Sequence, residues 1–426
     1  MSFKNLMLSQ KLQDNIKAVG YIEPTPIQKE AIPALREGRD ILAISQTGTG
    51  KTASFVLPML DNIPQREDKR VGDDRYKIDA LILAPTRELV IQIHNSIKSY
   101  SIGFRHKSVA LYGGVKLGSQ VKEIRAGANI AVATPARVLE HIKNRTLNLS
   151  NIQMLVIDEA DRLLEMGFID DTKAIISKLP TKRQSAMFSA TFSKPIKSLA
   201  KSLLKNPITI EIKGGISAKE IKQSAYYINE EQKIPFLISL LKKKGAKQTL
   251  IFVNTKRWAD ILAGRLKLEG INVTSIHGDR SQNIRNQALD SFKNREIDIL
   301  IATDVVARGV DIKALPLVIN FELPTKNEEY IHRIGRTGRA KESGEAISLV
   351  SNSEIEQFYE IEKALDITIP AIKTEGFIHK KRKCSKKSDK KEDKLKKAKE
   401  LAQKMMEMSS NSKKKRAKSP KNRKYF

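Results

Sequence analysis

The chain has 426 residues, of which 40% are hydrophobic, and a formal net charge of +29 at neutral pH. That length makes two or three domains of about 100–200 residues, with enough apolar side chains for real cores. The one cysteine, Cys384, rules out an internal disulfide or a cysteine-rich metal site and fits a reducing cytoplasm, and no run approaches the ~18 uninterrupted apolar residues of a membrane span.

Met1 to Gly20 lacks the apolar core of a signal peptide, so none is expected. From there on, short apolar runs alternate with longer amphipathic stretches. Ile41–Ile44, Ala80–Leu83, Ile130–Val132, Leu155–Ile157 and Ala186–Phe188 form one set. Leu250–Val253, Ile299–Ala302, Leu317–Ile319 and Ile347–Val350 form a second. Runs this short and this apolar predict strands buried on both faces of a parallel sheet. Thr172–Leu179 and Asp260–Leu268 carry helical spacing, and the alternation predicts α/β layering. The adjacent glycines of Lys213-Gly214-Gly215-Ile216-Ser217 predict a linker. The expected organisation is a first domain over 1–212, a linker over 213–218, a second domain over 219–372 and a tail over 373–426, with no clear sequence repeat between the two domains.

The tail carries 22 Lys and Arg against six Asp and Glu, a net of +16 and over half the excess of the chain. Its apolar residues are too sparse to fold alone, so it is expected to be disordered, although Lys394–Met408 has loose helical spacing. A basic run of this kind suits a polyanion: nucleic acid, or less often an anionic membrane.

Two segments carry phosphate chemistry. Gln46-Thr47-Gly48-Thr49-Gly50-Lys51-Thr52 follows a predicted strand and opens a predicted helix, with Ser45 where the general phosphate-loop pattern has its first glycine. Glycines let backbone N–H groups turn toward phosphate oxygens, and a helix N-terminus adds positive potential. Lys51 is placed to reach the β and γ phosphates of a nucleoside triphosphate and Thr52 to hold Mg²⁺. Leu155-Val156-Ile157-Asp158-Glu159-Ala160-Asp161 puts carboxylates at the end of a buried strand, where such sheets bind ligands. Asp158 suits Mg²⁺, partly through water, and Glu159 suits the orientation and deprotonation of an attacking water.

Residues 158–161 spell DEAD, and several other segments agree in order and spacing with it, about nine motifs in all. Over roughly residues 3–372 the chain resembles the DEAD-box family of ATP-dependent RNA helicases, within helicase superfamily 2, and most of all its RhlE-like bacterial subgroup. The resemblance implies two tandem RecA-like domains with a cleft between them, ATP and Mg²⁺ as cofactors, and RNA as partner, bound through phosphates and 2′-hydroxyls with little sequence preference. Ribosomal or RNA-decay assemblies are the candidate settings, with no membrane involved. It implies that Gly20–Gln28 is an adenine-reading motif, in which Gln28 pairs with the base edge, Tyr21 stacks on it and Phe3 is the upstream aromatic. Pro85, Thr86, Arg87, Gly114, Thr134 and Arg137 would face RNA from the first domain, with Ala136 where the family usually has glycine; Asn254, Thr255, Thr303 and Arg308 would do so from the second. Ser189, Thr191, Asp161 and His332 would couple the two sites. Asp311 would hold the ribose. Arg336 and Arg339 would reach the γ-phosphate as arginine fingers, supported by Arg333. The i, i+3, i+6 spacing of these three arginines predicts that they project to one side of a helical turn and its extension.

Overall fold

The computed structural model describes residues 2–46, 48–65, 77–212, 221–245, 247–304, 315–337 and 344–372. The expected linker and tail, with Cys384, lie outside these residues.

The first sheet contains β1 (Ile41–Ile44), β2 (Ala80–Leu83), β3 (Ser108–Leu111), β4 (Ile130–Ala133), β5 (Met154–Ile157), β6 (Gln184–Ser189) and β7 (Ile208–Glu211). They run parallel in the order β3-β4-β2-β5-β6-β1-β7. The second sheet contains β8 (Lys222–Tyr227), β9 (Thr249–Val253), β10 (Val273–Ile276), β11 (Ile299–Thr303), β12 (Leu317–Asn320), β13 (Glu345–Val350) and β14 (Ala371–Ile372). Its order is β10-β11-β9-β12-β13-β8-β14, again all parallel. Counted from the first strand of each sheet, the two orders are the same. The repeat is in topology, where the sequence shows none, because interior parallel strands require apolarity and not particular residues.

Period-two geometry sends alternate side chains of one strand to opposite faces. In β2, Ala80 and Ile82 enter the core under the helices Pro26–Arg36, Lys51–Asn62 and Arg87–Tyr100, while Leu81 and Leu83 enter the core on the other face. The second sheet has the same two-sided burial, with Ile251 and Ile319 on one face and Leu250 and Val318 on the other. Among the described residues no helix is long and apolar enough to cross a membrane.

Both sheets fall in one compact unit. Among the described residues, Ser45, Asp158 and Ala190 follow directly on the C-terminal ends of β1, β5 and β6, the edge where open α/β sheets bind ligands.

Candidate nucleotide and nucleic-acid sites

The nucleotide edge starts where β1 stops. Ser45 N–H still donates to Ser189 O at 3.0 Å, one residue beyond the strand, so the loop is anchored to the end of β6. The loop then turns through Gly48 and Gly50, with φ of +81° and +94°. At Gly50 the left-handed conformation calls for glycine, and an added Cβ would lie 2.5 Å from Gln28 Nε2, so the Gln28 amide would have to shift. The Ser45 hydroxyl meets Thr49 Oγ1 at 3.0 Å and so closes the loop where other phosphate loops use glycine. Lys51 is buried, and its ammonium donates to Ser45 O at 3.0 Å.

Gln28 ties the adenine-reading motif to this loop. It caps the helix Pro26–Arg36, taking Thr25 N–H on Oε1 at 3.0 Å, and gives Nε2–H to Gly50 O at 3.2 Å. Tyr21 packs edge-on to Phe3 at 5.9 Å between centroids, with its hydroxyl 2.8 Å from that of Tyr100. Thr52 lies in the first turn of the helix Lys51–Asn62. Thr47 lies outside the described residues.

β5 delivers Asp158, almost wholly buried, whose Oδ1 accepts Glu159 N–H at 2.9 Å. Burial pushes the Asp158 carboxyl up to about 6, opposed by the Lys51 ammonium. Glu159 has φ +47° and ψ +53°, a left-handed conformation that costs a non-glycine residue roughly 1–2 kcal/mol and is typical of functional turns. Asp161 Oδ2 accepts Ala190 N–H at 2.9 Å, and Ser189 Oγ lies 2.9 Å from Thr191 O. Phosphate loop, acidic turn and Ser189–Thr191 thus form one hydrogen-bonded assembly.

A cavity of about 350 Å³ is lined by Pro85, Thr86, Thr134, Ala136 and Arg137 from the first domain and Gly278 and Arg285 from the second. Thr86 caps the helix Arg87–Tyr100. The Arg87 guanidinium lies against Gly113 and Gly114, and at Gly114 (φ +86°) a side chain would collide with it. Arg137 donates to Val115 O at 2.8 Å. Ala136 has no left-handed backbone, so its methyl is accommodated without strain. Met166 and Phe168 add an apolar wall.

The two domains touch at this cavity. Glu88 accepts from Arg285 in a close ion pair and from Gln282 Nε2 at 3.0 Å, and the side chains of Glu88 and Arg285 are 4% and 6% exposed. Elsewhere Arg162 Nη2 donates to Asp304 O at 3.3 Å.

In the second domain Arg333 is the hub. Its guanidinium grips Asp304 at 2.7 and 2.5 Å, Glu322 O at 2.6 Å and Asn254 Oδ1 at 2.8 Å. Asn254 is further held through its N–H by Glu322 Oε2 and through Nδ2 by Leu323 O. Thr255 caps the next helix, Lys256–Leu268, and Thr303 ends β11, buried. His332 lies in the last turn of the helix Asn327–Ile334. That helix stops before Arg336, which is buried in the following turn. Gly335 caps this helix, and the side chain of Arg333 enters the core network. Arg308, Asp311 and Arg339 lie outside the described residues.

Glu88, Arg162, Asp304 and Glu322 carry no individual role in the sequence. Glu88 and Gln282 are 194 residues apart, so only the folded chain pairs them.

Two parallel sheets of one strand order, with a phosphate loop and acidic turn, among the described residues, on the first, define a helicase built on tandem nucleotide-binding folds. Residues 25–199 match the DEAD/DEAH box helicase family and 232–341 the helicase conserved C-terminal domain. The DEAD-box ATP-dependent RNA helicase RhpA of Helicobacter pylori is 39% identical over 369 residues, covering 86% of this chain and 73% of that protein. The ATP-dependent RNA helicase DeaD of Buchnera aphidicola is 40% identical over 387 residues, covering 90% of this chain but 63% of that protein, so this chain spans less than two thirds of its length. Among solved structures, S. cerevisiae Dbp5 bound to RNA and ADP BeF3 is 33% identical with a TM-score of 0.77, covering 87% of this chain and 95% of that one. The chain belongs to the DEAD-box family of ATP-dependent RNA helicases.

Proposed function

We propose that the chain hydrolyses ATP in step with RNA binding, and uses the cycle to separate short RNA duplexes or to displace proteins from RNA. The observation that carries this is the hydrogen-bonded assembly of phosphate loop, acidic turn and Ser189–Thr191, in a fold that also has a cavity lined by residues of both domains. The residues fit a nucleotide with Mg²⁺: glycine leaves the cradle open at Gly50, Lys51 already seeks an acceptor there, and Thr52 and Asp158 supply hard oxygen donors. When bound, Mg²⁺ neutralises charge on the transferring phosphoryl group.

In this reading Gln28 and Tyr21 select adenine, Lys51 holds the β and γ phosphates, and Glu159 orients the attacking water and takes its proton. Arg336 and Arg339 stabilise the charge that develops, and Asp311 holds the ribose. Thr86, Arg87, Thr134, Arg137, Asn254, Thr255, Thr303 and Arg308 hold phosphates and sugars, which positions RNA without reading its sequence. Closing the two domains bends one strand and ejects its partner. The basic tail adds salt-sensitive, sequence-independent affinity. The lone cysteine is consistent with work in the reducing cytoplasm.

Steady-state ATP hydrolysis with and without single-stranded RNA or matched DNA, for the wild type and Glu159→Gln, tests this. RNA-specific stimulation lost in Glu159→Gln is expected. Equal stimulation by DNA would overturn the assignment of RNA as partner, and no stimulation by either would overturn the coupling.

A further inference from the structure

Lys233 is the first residue of the helix Lys233–Lys244 and is fully buried. Its ammonium donates to Glu354 Oε2 at 2.5 Å and Phe321 O at 2.9 Å, and lies 5.6 Å from the centre of the Phe321 ring. Glu354 also accepts Leu323 N–H at 2.9 Å on Oε1, and Ser351 N–H and Oγ–H at 2.9 and 2.7 Å on Oε2. The pair therefore grips Phe321 and Leu323, the two neighbours of Glu322.

The segment 321–323 has a second set of bonds. Glu322 Oε2 and Leu323 O hold the Asn254 backbone and amide at 2.7 and 2.8 Å, and Glu322 O holds Arg333 at 2.6 Å. Asn254 is an RNA-facing residue in the proposed reading, and Arg333 sits on the helix that leads into the arginine turn. A buried ion pair repays its desolvation only with tight geometry and filled valences, and an apolar pair of similar volume often stabilises a fold as well or better. What this pair supplies beyond stability is the placement of three residues.

We infer that Lys233 and Glu354 are positioning residues that hold the 321–323 segment so that Asn254 is set for RNA and Arg333 for the arginine turn. The inference rests on the RNA-dependent ATPase proposed above, and RNA stimulation of the wild type is the control that separates the two: its absence would refute that reading first.

The test is a double-variant cycle on the RNA concentration giving half-maximal ATPase, with Glu354→Gln, Asn254→Ala and both together. Glu354→Gln alone should raise that concentration about tenfold, and should add less than about twofold once Asn254 is gone, as contacting residues in one network do. Ile347→Val, a truncation in the core of the same domain, should lower Tm without moving the RNA requirement. Should Glu354→Gln fail to fold, Glu354→Asp, which keeps the charge and shortens the reach, enters the same cycle. Effects of Glu354 and Asn254 that simply multiply, or an RNA requirement that follows Tm across all variants, would overturn the inference.

Discussion

Arg285→Ala should leave both domains folded and disable their closure. The Arg285–Glu88 pair is nearly dry, and Gln282 completes the acceptor shell of Glu88. Removing one partner of a buried pair costs about 3–5 kcal/mol, because the other charge stays desolvated. The pair forms only when the domains meet, so the cost falls on the closed population and not on the folding of either sheet. At about 1.4 kcal/mol per tenfold, 3 kcal/mol lowers the closure constant by roughly 100-fold. Energy transfer between dyes on the two domains, with an ATP analogue and RNA present, reads that constant, and the ATPase kcat should fall with it. Arg285→Lys, which keeps the charge and loses the fork, should lie between. Glu88→Arg combined with Arg285→Glu should recover part of the closure. Unchanged transfer efficiency and kcat in Arg285→Ala would refute the reasoning.

Gly50→Ala forces a side chain into left-handed backbone and onto Gln28; it should abolish ATP binding in calorimetry while shifting Tm by only a few degrees. His141 is buried with Nδ1 on Thr146 and Nε2 on Gln120, and burial lowers its pKa from 6.5 to about 4. The folded pKa lies below the unfolded one, so the unfolded chain protonates first as pH falls. The stability tied to neutral His141 is full above ~6.5 and is lost progressively toward ~4, reaching roughly 2 kcal/mol of loss at pH 5. Urea midpoints at pH 7 and 5 should therefore converge in His141→Gln relative to the wild type. Deleting 373–426 should raise the RNA requirement of the ATPase and flatten its salt dependence; an RNA requirement identical to that of the full chain would count against the tail as an RNA tether.

The interior of both sheets was legible because two-sided burial writes itself as an apolar run. All nine runs read from the sequence lie in strands, Ile41–Ile44 and Ala80–Leu83 with the same bounds. β3, β7, β10 and β14, the four strands that went unread at the sheet edges, are shorter of apolar residues because one side faces solvent, as the exposed residues of β7 (Ile208–Glu211) illustrate. β8 escaped for the same reason: Lys222 and Gln223 open it next to an edge strand. The phosphate loop and acidic turn were legible because their chemistry is local. The Glu88–Arg285 contact and the Arg333 network were not, since each joins residues that only topology brings together.

The repeated strand order has one more consequence. In each sheet a lysine opens the helix that follows the first strand: Lys51 after β1 and Lys233 after β8. In the first half that lysine stands behind a glycine loop shaped for phosphate. In the second the corresponding turn is Ile228-Asn229-Glu230-Glu231-Gln232, with two acids and no glycine, and its lysine is neutralised by Glu354. The twin of the phosphate cradle has been closed from within by a carboxylate. With only the first of these two turns left open for phosphate, a titration of the protein with nucleoside triphosphate should saturate at a single equivalent.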